Sequence, residues 1–366
     1  IKFDYIVVSP GIDINNCKLR NYLNTNKKKI ITDLDIFYLK NPKNIKITIT
    51  GTNGKSTTAK LLYEILKDQK KDVILAGNIG IPILSYKKIK PNTIFVIEAS
   101  SYQIEYSQFY KTNYSFILNI SPDHLERHKT MQNYTHSKFK LLINQKKNFY
   151  AFIEKNKYLE REIKRNKIKA KIIKLSKKKI NNKNLITNSY FKNINNLQNL
   201  SFVTKFSEVF RLNKLKLIKS VNSFKGLEFR QQIVFQNKIV TIINDSKSTS
   251  FASSLNLLKS YKNIFWIAGG LPKKGDKFNL PYKFGKNIKC YIFGKNKEFF
   301  RRSLKNKISS LSFNNIHNIL NIIARQIKSN TNKHYYILFS PAAASFDKFK
   351  NFEDRGKYFN NLIKKK

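Results

Sequence analysis

The stretch Ile45-Lys46-Ile47-Thr48-Ile49-Thr50-Gly51-Thr52-Asn53-Gly54-Lys55-Ser56-Thr57 decides how the chain is read. Ile45 to Thr50 is a strand-length run. Two glycines break it, and a helical pattern runs from Thr57 to Asp68. A strand delivered into a glycine-bounded turn and then a helix gathers several backbone N–H groups and the positive end of a helix dipole around one point. Phosphate binds at such a point. Gly51, Thr52, Asn53 and Gly54 would wrap it, Lys55 would reach the terminal phosphates, and the Ser56 or Thr57 hydroxyl would hold Mg2+. The spacing is tighter than GxxxxGK[ST], because Ile49 stands where the first glycine of that pattern would be.

Outward from this loop, short apolar runs alternate with helix-length segments, the signature of parallel βαβ construction. Lys2–Val8 reads as a strand ending in Ser9-Pro10-Gly11, and Asp72–Ala76, Thr93–Glu98 and Phe116–Asn119 read as further buried strands. Each runs into a polar loop at its carboxyl end, where open α/β sheets bind ligands. Glu154–Lys183 is dominated by Lys, Asn and Ile and says little. After Asn222-Ser223 a second α/β series begins, with a strand pair in Gln231–Ile243, a helix over Ser250–Ser260, and strands at Ile264–Ala268, Lys289–Phe293 and Tyr335–Phe339. The boundary falls near Phe224.

A length of 366 residues implies two or three domains, and 41% hydrophobic residues suffice to fill their cores. The longest apolar runs are strand-sized, far short of the roughly 20 residues of a membrane span. A soluble protein is expected. Cys17 and Cys290 lie far apart without ligand spacing, which removes a disulfide framework and a structural zinc site and fits a reducing cytoplasm. The formal charge of +49 raises the question of nucleic acid. The excess is mostly Lys, spread from end to end among many Asn and Ile, so a solvated lysine surface is the expectation and nucleic acid is not. The chain starts at Ile1 with no signal-like segment ahead of its first strand, which reads as a fragment or a processed product.

The phosphate loop resembles the ATP site of the Mur ligase and folylpolyglutamate synthase superfamily, and the resemblance continues in order along nearly the whole chain. It is carried by Gly77-Asn78-Ile79-Gly80, Glu98-Ala-Ser-Ser-Tyr-Gln103, Asn119-Ile-Ser-Pro-Asp-His-Leu125, Tyr134 to Lys140, Asn244-Asp-Ser-Lys-Ser-Thr249 and Ser340-Pro-Ala-Ala-Ala-Ser345. It implies an α/β Mur ligase architecture: a truncated N-terminal Rossmann-like domain (1–42) for the UDP end of the substrate, a central P-loop ATPase-like domain (43–223) and a C-terminal Rossmann-like α/β domain (224–366). The implied reaction is ATP-dependent amide-bond formation through an acyl phosphate.

The resemblance also implies roles. Glu98 and His124 would hold Mg2+ with Ser56, and Lys138, in Tyr134-x-x-x-Lys138-x-Lys140, matches the lysine that is carbamoylated to become an oxygen ligand. Asn196 and Asn199 match the helix asparagines on the adenine side, and Arg230 an arginine that closes onto the γ-phosphate. Around Arg230 the chain reads Gly226-Leu-Glu-Phe-Arg-Gln-Gln232, without the usual Pro, His and Glu. Asp245 would contact nucleotide, Lys247 and Thr249 the transferred phosphate and incoming amino acid, and Ser250 replaces a usual Asn. Asn78 and Lys273, or its neighbour Lys274, would touch substrate. The run Ser340 to Gly356, with Ser345 and Phe352 at the glutamate side chain, points to the D-glutamate-adding branch. UDP-N-acetylmuramoyl-L-alanine and D-glutamate are then the substrates of a monomer. The first glycine turn of the N-terminal domain is missing. A folylpolyglutamate synthase-like ligase, a basic nucleic-acid-binding P-loop protein and an inactive ligase stay open as alternatives.

Overall fold

The computed structural model describes residues 3–176, 185–192, 194–273 and 275–364. The chain divides into two compact units, Ile1–Phe224 and Lys225–Lys366. The first unit runs β1 (Ile6–Val7), α1 (Arg20–Thr25), β2 (Ile30–Ile31), α2 (Asp33–Lys40), β3 (Lys46–Thr50), α3 (Lys55–Asp68), β4 (Val73–Gly77), β5 (Ile94–Glu98), α4 (Ser101–Glu105) and β6 (Tyr114–Ile117). It continues with α5 (Leu125–His128), α6 (Met131–Ile143), β7 (Tyr150–Glu154), α7 (Lys157–Arg165), β8 (Lys171–Leu175), α8 (Ile194–Val209) and α9 (Lys214–Ser223).

Six of these strands form one parallel sheet in the order β4-β5-β3-β6-β7-β8. Strand β3 lies inside it because all five of its residues are buried, the pattern of a strand covered on both faces. Helices α3 and α8 cover one face with Leu61, Leu62, Ile65, Leu200, Val203 and Phe206. The opposite face is covered by Phe37, Ile104, Tyr134, Phe139 and Leu142 from α2, α4 and α6. Each such side chain contributes about 2 kcal/mol when withdrawn from water. The chain leaves β3 for β4 and β5 on one side, then crosses to β6 on the other, so the loop after β3 sits where the winding reverses. In register, Ile49 lies beside Glu98 and Thr50 beside Ile117, which aligns the carboxyl ends of β5, β3 and β6.

Of the expected strand Lys2–Val8, Lys2 lies outside the described residues and, among the rest, Ile6–Val7 forms a strand paired in parallel with β2. Phe3, Tyr5 and Val7 are half exposed. A two-strand sheet with an open face supports little length. The Lys-rich stretch after Glu154 holds α7 and β8, which its composition conceals.

The second unit runs β9 (Gln232–Gln236), β10 (Val240–Asn244), α10 (Phe251–Ser260), β11 (Ile264–Gly269), α11 (Tyr282–Gly285), β12 (Ile288–Phe293), α12 (Lys297–Leu304), β13 (Ser309–Ser312), α13 (Ile316–Lys328), β14 (Tyr335–Phe339) and α14 (Phe352–Lys364). Its sheet has the order β13-β12-β11-β14-β10-β9, parallel except for the edge strand β9. Trp266, Phe251, Phe278 and Phe300 fill one face, and Ile267, Ile319, Ile323, Phe339 and Phe359 the other.

Asp35 ties the amino-terminal segment to the sheet that follows. Fully buried, it accepts from the Thr32 N–H (2.9 Å), the Ser107 hydroxyl (2.7 Å) and the consecutive N–H groups of Gln108, Phe109 and Tyr110 (3.1, 2.8 and 2.9 Å). Removing the carboxylate leaves several buried donors unpaired. Asp35→Ala should therefore cost about 3 kcal/mol and speed amide hydrogen exchange in residues 3–40 while the β3 amides stay protected. Unchanged exchange in residues 3–40 would contradict this anchoring.

Candidate active site

The loop after β3 is held open by two glycines. Gly51 (φ +146°) and Gly54 (φ +83°) occupy backbone conformations that side chains disfavour, and a Cβ on Gly54 would lie 2.3 Å from the Asn199 Oδ1. The loop is then fastened from β6. The Asn53 N–H donates to Asn119 Oδ1 (2.8 Å), Asn119 Nδ2 donates to the Asn53 carbonyl (3.0 Å), and the Thr52 N–H donates to the Asn119 carbonyl (3.0 Å). Thr52 Oγ1 meets the Tyr134 hydroxyl at 3.0 Å and accepts from the Ser121 N–H at 3.1 Å. Lys55 folds back over the loop, its Nζ donating to the Gly51 and Thr52 carbonyls at 2.9 Å each. Ser56 and Thr57 are buried in the first turn of α3. The arrangement leaves the N-terminus of α3 facing the polar loops of its neighbours, which suits a phosphate chain.

Glu98 ends β5 next to this loop and is 1% exposed. Its Oε1 accepts from Asn78 Nδ2 at 3.0 Å, while its buried Oε2 has no partner. An unpaired carboxylate oxygen is costly unless a cation or donor arrives, so Glu98 fits a divalent ion beside a phosphate. Among the described residues no group of three or more His, Cys, Asp or Glu side chains forms a metal cluster. An ion here would lean on Glu98, the Ser56 or Thr57 hydroxyl and the phosphates themselves. Asn78, expected at the substrate, orients Glu98.

Lys138 on α6 reaches the same place and is 2% exposed. Its Nζ donates to the Gly51 carbonyl (3.0 Å), lies 3.4 Å from Thr50 Oγ1 and sits 4.7 Å from the centre of the Tyr134 ring. Burial holds its ammonium well below the usual lysine range, and the charge of Lys55 pushes the same way, against the weaker pull of Asp123 and Glu98. Lys55, Glu98, Asp123 and Lys138 thus share one electrostatic neighbourhood. His124 lies on its edge. It is 43% exposed by side chain, in a left-handed conformation (φ +54°), and its ring nitrogens stand 3.5 Å from Asp123 and Glu126. No hydrogen bond or ion pair joins it to Glu98 or Lys138 among the described residues.

Two neighbours of His124 escape a reading by sequence alone. Arg127 donates to the Ile12 carbonyl (2.8 Å), to Glu105 (3.0 Å) and to the Tyr106 hydroxyl (3.2 Å). His128 contacts Ser101 Oγ at 3.0 Å and is pushed down to about 4 by burial, with Lys138 adding to the effect. Only the pairing of an Arg with a Glu on separate segments could have signalled the first. On α8, Asn199 packs against Gly54 and Asn196 Nδ2 donates to the Tyr190 carbonyl at 3.0 Å. Both asparagines are buried.

In the second unit the expected residues follow β10, β11 and β14, apart from Arg230, which precedes β9. Arg230 is half-buried between Phe229 and Gln231, whose φ angles are both positive (+61° and +51°). Asp245 is buried beneath it, accepting from the Ser340 hydroxyl (2.8 Å) and the Gln231 N–H (3.2 Å). Lys247 Nζ stands 4.2 Å from the centre of the Phe352 ring, and Ser246 Oγ donates to the Phe352 carbonyl at 2.8 Å. Ser345 is buried, Thr249 half-buried and Lys273 exposed. Lys274 lies outside the described residues. Ser250, in place of the usual Asn, caps α10 by accepting from the Ser253 N–H.

Such a phosphate loop at the reversal point of a parallel sheet, beside an unpaired carboxylate and a buried lysine, defines a nucleotide-dependent enzyme of the α/β class. Residues 49–218 match the Mur ligase middle domain. The UDP-N-acetylmuramoylalanine--D-glutamate ligase of Rickettsia prowazekii (strain Madrid E) is 33% identical over 384 residues, covering 99% of this chain and 85% of that protein. The protein of the same name from Francisella tularensis subsp. novicida (strain U112) is 35% identical over 369 residues, with the same coverage. Among solved structures, MurF from Acinetobacter baumannii superposes with a TM-score of 0.66 at 14% identity, covering 90% of this chain and 79% of that one. MurF ligase from Thermotoga maritima in complex with ADP gives 0.61 at 15%, covering 94% and 92%. The chain belongs to the Mur ligase family and is an ATP-dependent amide-bond-forming ligase.

Two outcomes follow from the geometry. Gly54→Ala should weaken ADP binding about tenfold or more and lower stability by about 1–3 kcal/mol, because the new methyl meets Asn199 and the loop must keep φ positive. Calorimetric titration and thermal melting check both, and wild-type affinity would contradict it. Burial lifts the Asp245 carboxyl from its ordinary 3.8 to about 7, against the pull of Ser340, Gln231 and Arg230. Between those values the folded state holds a proton that the unfolded state lacks, so this group's contribution to stability falls as pH rises from 4 to 7. Asp245→Asn should flatten that part of the melting profile. A profile as steep as wild type would contradict the assignment.

Proposed function

We propose that this chain joins D-glutamate to the L-alanyl carboxylate of UDP-N-acetylmuramoyl-L-alanine, in peptidoglycan synthesis, at the expense of ATP. The chemistry is supported above all by the buried Glu98 oxygen left unpaired beside the phosphate loop. The choice of substrates is supported by the names of relatives that match 99% of the chain.

The acceptor's carboxylate oxygen attacks the γ-phosphorus of ATP and ADP leaves, giving an acyl phosphate. The amine of D-glutamate then adds to the acyl carbon, loses a proton, and the tetrahedral intermediate expels phosphate with the C–O electron pair. Two anions must meet in the first step, and cations have to screen them. Lys55 supplies one charge from the loop. Glu98 with the Ser56 or Thr57 hydroxyl would hold Mg2+, which would supply the screening that a side chain cannot. His124, exposed on its loop, would serve a second ion.

Lys138 has a further role in this reading. Burial lowers its pKa and so favours the neutral amine, the form that can add to carbon dioxide with loss of a proton. The resulting carbamate is an anionic oxygen donor, and its remaining N–H keeps the bond to the Gly51 carbonyl. In the second unit Arg230 and Asp245 attend the nucleotide, Lys247 and Thr249 the transferred phosphate and the incoming amino acid, and Lys273, Ser345 and Phe352 the amino acid. The unpaired thiols of Cys17 and Cys290 match a cytoplasmic setting.

With UDP-N-acetylmuramoyl-L-alanine, D-glutamate and Mg-ATP, the wild type should release phosphate. Lys55→Ala and Lys138→Ala should each lose about 100-fold or more. With 13C-bicarbonate the wild type should show a carbamate carbon resonance that Lys138→Ala lacks. Turnover surviving both substitutions would sink the proposal.

A further inference from the structure

Arg355, on α14, belongs to the motif running from Ser340 to Gly356, yet none of the roles above uses it. Its side chain is wholly buried, 0% exposed. Nε donates to Ser246 Oγ at 3.1 Å, and Nη2 donates to the Ser246 carbonyl at 2.7 Å and the Ala343 carbonyl at 2.9 Å. Nη1 is buried without a partner. A Cβ placed on Gly270 would lie 3.1 Å from Nη1 and 2.4 Å from the Ala344 carbonyl. Ser246 follows β10, Gly270 follows β11 and Ala343 follows β14, three strands in adjacent positions. One guanidinium therefore bonds the loops after β10 and β14 and lies beside the loop after β11, and these loops carry the residues read as amino-acid contacts.

The contacts continue beyond the guanidinium. Ser246, held at both its hydroxyl and its carbonyl, passes its own hydroxyl proton to the Phe352 carbonyl. Lys247, the next residue, lays its Nζ over the Phe352 ring. Ala343 and Ala344 lead into Ser345, and Leu271 exchanges two backbone hydrogen bonds with Ala344 at 2.9 Å each. A planar fork with fixed donor directions suits the setting of distances between three loops. A pure space-filler would be better served by an apolar side chain, because burying a cation is costly.

We propose that Arg355 is a positioning residue for the incoming amino acid, holding the loops after β10 and β14, and through the Ala344–Leu271 pairing the loop after β11, so that Lys247, Ser345 and Phe352 form one receiving surface. This rests on the amino-acid reading given under Proposed function. A lysine at 355 keeps the charge but makes at most part of the three directed contacts. Gly270→Ala keeps the arginine and displaces the Ala344 carbonyl instead. Both changes should spoil the same surface.

The experiment measures KM for each substrate, kcat and the melting temperature for wild type, Arg355→Lys and Gly270→Ala in the full chain. We expect the KM for D-glutamate to rise about tenfold or more in both variants. The KM for ATP and for UDP-N-acetylmuramoyl-L-alanine should stay within about twofold. Should Arg355→Lys fail to fold, Gly270→Ala carries the comparison. An unchanged D-glutamate KM, or a fall in kcat with all three KM values unmoved, overturns the proposal. Wild-type turnover with another amino acid defeats the D-glutamate reading alone, and the same KM shift is then expected for that amino acid. A wild type that turns over no amino acid overturns both.

Discussion

The hydrogen bond from Lys138 Nζ to the Gly51 carbonyl, made in a site that excludes water, is the constraint around which the first unit is arranged. A lysine this deep is unfavourable as an isolated cation. Its position is kept because α6 packs Tyr134, Phe139, Leu141 and Leu142 into the core and delivers Lys138 one turn beyond Tyr134. Tyr134 in turn meets Thr52 of the loop. The helix that brings the lysine thus also fixes the loop it serves, and a displaced α6 would move both together.

Both units use the same arrangement. Each is a largely parallel sheet whose polar groups stand at the carboxyl ends of adjacent strands, where open α/β sheets bind ligands. In the first unit these ends carry the phosphate loop, Glu98 and Asn119. In the second they carry Asp245 with Lys247, Gly269 with Gly270, and the run from Ser340. The strands supply rigidity and the loops supply chemistry. Positive φ angles mark where the backbone bends most tightly, at Gly51 and Gly54 in one unit and at Gly269 and Gly270 in the other.

Much of this was legible in the residues. The strand ending at Thr50, the glycine turn and the helix after it announce themselves by pattern, and Glu98 and Asn119 stand at the ends of short apolar runs. The Tyr134-x-x-x-Lys138 spacing places both side chains on one helix face, which the structure realises over the phosphate loop. What stayed hidden depends on partners distant in sequence. The role of Asp35 depends on Ser107 to Tyr110, which lie more than 70 residues on and close over it. Arg127 and Arg355 are two among 71 basic residues, and only tertiary packing makes them buried hubs. Strand β8 and helix α7 were obscured because lysine faces outward so often here that the apolar positions, such as Leu159 and Ile172, stand far apart.

Glu98, with its unpaired oxygen beside the phosphate loop, would complete a divalent-ion site with the nucleotide's phosphates. Calorimetric titration of a non-hydrolysable ATP analogue, with and without Mg2+, into wild type and Glu98→Gln tests it most directly. The account predicts that Mg2+ tightens binding to the wild type by about tenfold or more and that Glu98→Gln loses most of this gain while its metal-free affinity is kept. An equal Mg2+ effect in the two proteins would contradict it.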